Sequence, residues 1–377
     1  MTAETTVRPP ASRRTSAAYG ISVRRKQAGK AVLFAASLLL LAAFLAQALF
    51  SAGLVSVGFA NWRPVLYAYL LWCVALGVSQ VMIRGERGQR ALFLLPALLF
   101  TIAVVIFPTI FGLYIAFTDW NLSSLTGRHF NGLDNLRTLV GDAYFWNALG
   151  NMGFYVASVA LQYAVAFSLA LLLNADIRAR KFFRVVFLIP LMLSPVAVSW
   201  MIGKSILEYR YGPVASLIRD FGMVPPAFFA SPWLARISIM AMDAWTYVPF
   251  LMILLLAGLQ ALPGEVLEAA RIDGAKPWQI FWQITFPLML PVSVTALILR
   301  IIFELKLADV VINITSGGPG GATDTVSSFV YRTYRDRSNV GYGTMIAEVY
   351  LILIIVFMTV LLNLVGRLMR RYTVAAP

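Results

Sequence analysis

The sequence predicts an all-α polytopic membrane protein of about eight transmembrane helices. Composition, the length of the apolar runs and the placement of the basic residues carry that expectation. The chain has 377 residues, of which 60% are hydrophobic and 13% charged. A soluble domain carries about 25% charge, and its core could not absorb so much apolar surface. Much of this chain therefore has lipid as its solvent.

Runs long enough to cross a bilayer as helices lie at 31–50, 64–83, 91–117, 148–173, 185–207, 236–260, 285–310 and 345–366. Backbone groups in lipid must be satisfied internally, which leaves helices or a closed barrel. Barrel strands alternate in hydropathy and these runs do not. The formal net charge of +14 does not describe a nucleic-acid surface, because the basic residues gather at the ends of the apolar runs. They include Arg24, Arg25, Lys26 and Lys30 before the first run, "RGERGQR" after the second, "NADIRARKFFR" after the fourth, and Arg367, Arg370 and Arg371 at the end. With eight spans these segments fall on one side, the cytoplasm, together with both termini.

The N-terminal segment has two further readings. Basic residues, an apolar run and Ala46-Gln47-Ala48 share features of a cleavable signal peptide. The run is longer than a signal core, so a retained first span is expected. Arg13-Arg14 suggests twin-arginine export, but the following "TSAAYG" is not apolar enough.

The segments expected outside, 118–147, 208–235 and 311–344, are longer. The last holds "TSGGPGGATDT", Thr315 to Thr325, which reads either as a flexible connector or as a contact surface. It is no nucleotide loop, since G-x-x-x-x-G-K-[ST] occurs nowhere. One histidine, His129, and one cysteine, Cys73, make a His/Cys metal site untenable.

Between the sixth and seventh runs lies "EVLEAARIDGAKPWQIFWQITFPL", Glu265 to Leu288. Glu265 to Ile272 is good helix material, with Glu265 and Glu268 early and Arg271 late, as the helix dipole prefers. Asp273-Gly274 stops the helix, with Gly274 in the left-handed closing position. Pro277 starts a second one. The result is a pair of short helices at an angle on the cytoplasmic side, with Ala269 and Ala270 forming a small-residue surface. An ordinary amphipathic interfacial loop is the plainer reading of this pattern.

The residues themselves go further. "EAARIDGAKPWQIFWQITFPLMLP" closely resembles the EAA loop of ABC importer permeases, through Glu268, Ala269, Ala270, Asp273, Gly274, Ile284 and Pro287. "RKFFRVVFLIPLMLSPVAVSW" and "ITSGGPGGATDTVSSFVYRTY" are similar to carbohydrate-uptake permeases of the maltose and glycerol-3-phosphate type, in particular to the first permease subunit. The resemblance covers about residues 91–370 and implies a type I ABC importer permease fold. It divides the chain into a basic tail (1–28), an extra helix pair (29–90), the permease domain (91–370) with a coupling loop at 261–287, and a C-terminal tail (371–377).

By that resemblance the chain is a non-catalytic subunit in a bacterial cytoplasmic membrane. It would pair with a second permease subunit, two ATPase subunits and an extracytoplasmic solute-binding protein to import a carbohydrate by alternating access. The chain itself would need no cofactor, ATP and Mg²⁺ belonging to the ATPase. Glu265, Glu268, Ala269, Ala270, Asp273 and Gly274 would contact the ATPase, and Gly317, Gly318 and Pro319 the binding protein. The rivals are an ion-coupled secondary transporter, which leaves the cytoplasmic elbow without a purpose, and a membrane-embedded enzyme, for which no catalytic cluster is visible.

Charged residues inside the spans are functional candidates. Arg300 and Glu304, and Lys306 and Asp309, are spaced to meet on one helix face. Sugars are held by planar hydrogen-bonding side chains and aromatic faces, which adds Tyr155, Gln162, Trp200, Asp243, Trp245, Tyr247 and Asn313. Trp245 and Tyr247 suit a pocket or an interfacial belt equally. The cations leave an anionic sugar open. Where the family has Phe-Asp before the Gly-rich loop, this chain has Ala308-Asp309, which puts one family contact in doubt.

Overall fold

The computed structural model describes residues 22–51, 55, 56 and 58–374. Among them the secondary structure is helical, apart from isolated antiparallel bridges at Thr118–Phe130 and Asn121–Asn339. Among the described residues seven helices are long and apolar enough to cross a membrane, or eight if one bent pair counts as a span. Most of the N-terminal tail, residues 1–21, lies outside the described residues.

The chain divides into two compact units, one up to Ile110 and one from Phe111. The division falls inside the third apolar run, later than the expected 90/91 boundary, because the start of that run packs on the second helix. The first unit holds α1 (Val23–Ser51), α2 (Arg63–Arg84) and α3 (Glu86–Thr101). The expected tail thus becomes helix at Val23. Small residues, among them Ala36, Ala68, Ala75 and Gly77, form the buried seams, while Leu38, Leu70 and Phe93 face outward. Lipid gives no hydrophobic drive between helices, so close approach over small residues does the work. Trp72 Nε1 donates to Ser37 Oγ at 3.0 Å and ties α2 to α1.

A π-helical turn at Ile102–Ile106 leads into α4 (Phe107–Ala116). Another, Phe281–Thr285, occurs later, and each directly precedes a Phe-Pro pair. A proline ring in a helix clashes with the carbonyl four residues earlier, here Val104 and Gln283. Both lie in the π turns, whose wider winding accommodates the ring.

The second unit begins within α4 and continues with α5 (Asp134–Gly141) and the long α6 (Ala143–Asn174). Asp142 caps α6 by accepting from Tyr144 N at 2.8 Å. The fifth expected span is not one helix. It is α7 (Arg180–Met192) followed by α8 (Pro195–Val198) and a π-helical stretch, Ser199–Ile206, bent by 96° at the break. Ser194-Pro195 causes it: a residue before proline avoids helical geometry, Pro195 opens the new helix, and Ser194 Oγ accepts from Ala197 N at 3.2 Å.

After α9 (Pro213–Asp220) come α10 (Pro232–Gln260), α11 (Gly264–Ile272), α12 (Pro277–Ile280) and α13 (Phe286–Glu304). The chain ends with α14 (Asp309–Ile314), α15 (Val326–Arg335) and α16 (Val340–Val374), which extends helix into the expected C-terminal tail. The main core joins α6, α10 and α13 through Ala166, Phe167, Ala170, Leu255, Met289 and Ala296. The periodic alanines of α6 let α10 approach closely.

The connector reading of the Gly-rich loop is overturned, since this loop is among the most tightly held parts of the chain. Thr323, Asp324 and Thr325 are at most 1% exposed. Asn151 Nδ2 donates to the Asp324 carbonyl at 2.9 Å, and Asn147 Nδ2 to that of Gly321 at 2.6 Å. Tyr155 Oη donates to the Thr323 carbonyl at 3.2 Å, and Arg236 Nε to that of Ala322 at 2.6 Å. Asp324 is ion-paired with Arg332 and accepts from Ser328 Oγ. A buried loop needs partners for its backbone, and the flanking helices supply them.

Gly317 has a φ of +85°, and a Cβ there would stand 2.8 Å from the Asp324 carboxyl carbon. Gly317→Ala is therefore expected to cost about 1–3 kcal/mol and to lower the thermal unfolding temperature of the purified protein, while the same change at open Gly264 leaves it unaltered.

Candidate functional site

The α6 sequence carries polar residues at helical spacing: Asn147, Asn151, Tyr155, Ser158 and Gln162. Residues three and four apart share a helix face, so they form one stripe along an otherwise apolar helix. Its first half holds the Gly-rich loop. Its far end, Gln162, meets Asp243 of α10 and Arg300 of α13.

There the side chains close a buried network. Gln162 Nε2 donates to Asp243 Oδ2 at 2.9 Å, and Arg300 Nε donates to Gln162 Oε1 at 2.9 Å. Arg300 Nη2 is ion-paired with Asp243 and with Glu304. Tyr247 lies over the guanidinium, 4.6 Å from ring centroid to Cζ. Arg300 is 0% exposed, Glu304 1%, Asp243 2% and Gln162 2%. Charges this deep persist only when paired, and here one guanidinium faces two carboxylates.

These contacts sort the sequence candidates. Gln162, Asp243, Tyr247, Arg300 and Glu304 come together, whereas Tyr155 is spent on the Gly-rich loop. Trp200 is 59% exposed on the π-helical stretch, away from the network. The pairing expected for Lys306 and Asp309 on one helix face is not made. The helix ends at Glu304, Lys306 falls in the break, and Asp309 opens α14. Asn313 Nδ2 donates to the Asp309 carbonyl at 2.7 Å, a contact internal to α14.

Beside the network, α6, α7 and α10 enclose a groove of about 740 Å³. Ser158, Gln162, Pro190, Ala244, Trp245 and Pro249 are on its wall, with aliphatic side chains between them. Trp245 is thereby a groove residue. This volume lies within the range of small-molecule sites. Ser158 was missed as an individual residue, although the α6 stripe contains it.

The elbow has the expected form. Gly274 sits at φ +80°. Gly274 N donates to Arg271 O at 3.1 Å and Ala275 N to Ala270 O at 3.0 Å, the paired closure of a Schellman motif. Lys276 N donates to Gln279 Oε1 at 2.8 Å and starts α12. Glu265, Glu268, Ala269, Asp273 and Gly274 are exposed, as are Ile272 and Trp278. Ala270 departs from the expectation: it is buried, on the inward side of α11, so the small-residue surface is Ala269 alone. Of the residues expected to meet a binding protein, Gly317 is buried against Asp324 and Arg332, Gly318 and Pro319 are half-buried, and Gly320 is the exposed tip.

Arg300 turns Nε to Gln162 and Nη2 to the two carboxylates, while its buried Nη1 has no hydrogen-bond partner. Arg300→Gln leaves two buried carboxylates without a cation. The expected destabilisation is about 3–5 kcal/mol, read as a fall in unfolding temperature. Adding Asp243→Asn and Glu304→Gln to that variant is expected to recover most of the loss.

The comparisons agree with this architecture. Residues 162–375 match the family described as the inner membrane component of binding-protein-dependent transport systems. The trehalose/maltose transport system permease protein MalF of Thermococcus litoralis is 34% identical over 286 residues, covering 76% of this chain and 96% of the relative. The sulfoquinovosyl glycerol transport system permease protein SmoG of Agrobacterium fabrum is 30% identical over 266 residues, covering 70% of this chain and 86% of the relative. A crystal structure of a bacterial alginate ABC transporter, complexed with its alginate pentasaccharide-bound periplasmic protein, superposes with a TM-score of 0.65. It is 20% identical, covers 82% of this chain and 99% of its own, and agrees in fold. The match spans the polar stripe's end at Gln162, the elbow and the Gly-rich loop, and the chain belongs to the inner membrane components of binding-protein-dependent transport systems.

Proposed function

We propose that the chain is one permease subunit of an ATP-driven importer of a carbohydrate, working by alternating access. The observation that carries this reading is the elbow. It is a rigidly closed helix–turn–helix whose acidic residues and Ile272 and Trp278 stand exposed, Ile272 at 85% and Trp278 at 71%. Apolar side chains presented on so well ordered an element suit a protein partner. An ATPase subunit is the partner this reading assigns, with Glu265 and Glu268 supplying charge-assisted contacts and Gly274 letting the partner come close.

ATP and Mg²⁺ belong to that ATPase, two copies of which would serve this chain and a second permease subunit. The termini and the elbow are assigned to the cytoplasm by the distribution of Lys and Arg. The Gly-rich loop then lies on the other side, where Gly318, Pro319 and Gly320 are offered to a solute-binding protein. Substrate would pass by the α6/α7/α10 groove. The aromatic Trp245 gives a face for the C–H side of a sugar ring. The carbohydrate assignment draws further support from relatives named for trehalose, maltose and sulfoquinovosyl glycerol transport.

The test is ATP hydrolysis by the complex purified through this chain, in lipid, with its binding protein and a panel of sugars. One sugar is expected to stimulate hydrolysis and to be taken up. Gly274→Asp is expected to leave the chain inserted, at a stability cost of about 1–3 kcal/mol from the positive φ, while uptake per inserted, folded complex falls about tenfold or more, the scale of losing one well-placed contact or two. Undiminished uptake in that variant, or no co-purifying ATPase, would overturn the coupling role.

A further inference from the structure

The groove between α6, α7 and α10 has an uneven supply of hydrogen-bonding groups. Both hydrogens of the Gln162 amide are used, on Asp243 Oδ2 at 2.9 Å and on Ser158 Oγ at 3.3 Å. Its Oε1 takes one bond from Arg300 Nε and keeps a second lone pair. Ser158 spends its hydrogen on the Tyr155 carbonyl at 2.6 Å and accepts from Gln162, so it too has only acceptor capacity left. Both side chains are locked in these roles by the buried network.

The prolines on the wall add to this bias. Pro190 and Pro249 lie inside their helices. A helical proline lacks the N–H that would satisfy the carbonyl four residues earlier. Those residues are Val186 and Trp245, and both line the groove. The side-chain donor on the wall is the Trp245 indole N–H. No Lys or Arg lines the groove. The cations lie outside the lining: Arg300 spends Nε and Nη2 within the network and keeps an unpartnered, buried Nη1, Arg184 of α7 has buried Nε and Nη2 without partners, Lys204 donates to the Ile314 carbonyl at 3.3 Å, and Lys306 is exposed past the end of α13. The network behind Gln162 carries one positive side chain against two acidic ones.

Resting on the carbohydrate reading above, we propose that this groove selects a neutral, hydroxyl-donating saccharide and rejects sugar acids. Sugar hydroxyls donate to Gln162 Oε1, Ser158 Oγ and the freed carbonyls, while a ring face packs on Trp245. A carboxylate or sulfonate brings only acceptors. It would meet acceptors and an acid-rich network in a low-dielectric wall, where an unpaired charge is expensive. Specificity arises here from the unfavourable match as much as from the favourable one.

The experiment uses the intact importer in liposomes with its binding protein, and pairs each neutral disaccharide with its uronic acid counterpart. Affinity of the binding protein for each sugar is measured separately. For uronates that the binding protein holds, kcat/KM of uptake is expected to be at least about tenfold below that of the neutral partner. Uptake of such a uronate at an equal kcat/KM would overturn the proposal. In a second arm, Ser158→Ala removes one acceptor. KM for the neutral sugar is expected to rise roughly two- to tenfold, with the sugar affinity of the separate binding protein unchanged. An unaltered KM would overturn the role of the groove. Absence of stimulation by any sugar, neutral or acidic, would instead sink the carbohydrate reading itself.

Discussion

The Arg300 guanidinium, withdrawn from water between Asp243 and Glu304, is the constraint on which the second unit depends. A charge at that depth is tolerable only with its partners in place. Those partners come from α10 and from α13 itself, and Gln162 of α6 bonds to both sides of the pair. Three helices are therefore fixed in mutual register by one polar knot. In lipid, where apolar packing alone distinguishes helix positions weakly, such a knot specifies register more sharply than leucines can. The knot also sets the character of the groove beside it, by consuming the donors of Gln162.

The elbow and the Gly-rich loop show two opposite uses of glycine. Gly274 closes α11 in open surroundings and leaves an exposed element of defined shape. Gly317 also has positive φ, but it is packed against Asp324 and Arg332, in a loop whose carbonyls are held by Asn147, Asn151, Tyr155 and Arg236. The first keeps a surface available. The second builds a rigid plug from residues that composition alone would assign to a mobile connector.

Prolines do comparable work inside the spans. Pro195 with Ser194 breaks the fifth apolar run into two helices bent by 96°. Pro108 and Pro287 follow π-helical turns that make room for their rings. Pro190 and Pro249 withhold the N–H that would pair with the carbonyls of Val186 and Trp245, two residues of the groove wall. The "LSPV" within the fifth run did hold the signal for the break, since Ser-Pro is an N-cap followed by a first helical residue. Uniform hydropathy hid it, because a span and a bent pair of half-spans have the same composition.

The sequence by itself determined the membrane class, the order of the apolar helices, and the elbow down to the residue that turns it. Each of these rests on local rules: run length against bilayer thickness, dipole and cap chemistry, and the backbone freedom of one glycine. It also named Gln162, Asp243, Arg300 and Glu304, as polar residues in apolar helices. Only the tertiary structure decided what they do. Arg300 and Asp243 are far apart in sequence, so their pairing depends on how α10 packs against α13. Burial of Ala270 and Gly317, separation of Lys306 from Asp309, and the tight hold on the Gly-rich loop were likewise decided by neighbours from other helices. Spacing along a chain fixes which residues can share a helix face, but which face meets which, and what charge remains there, is settled only when the helices pack.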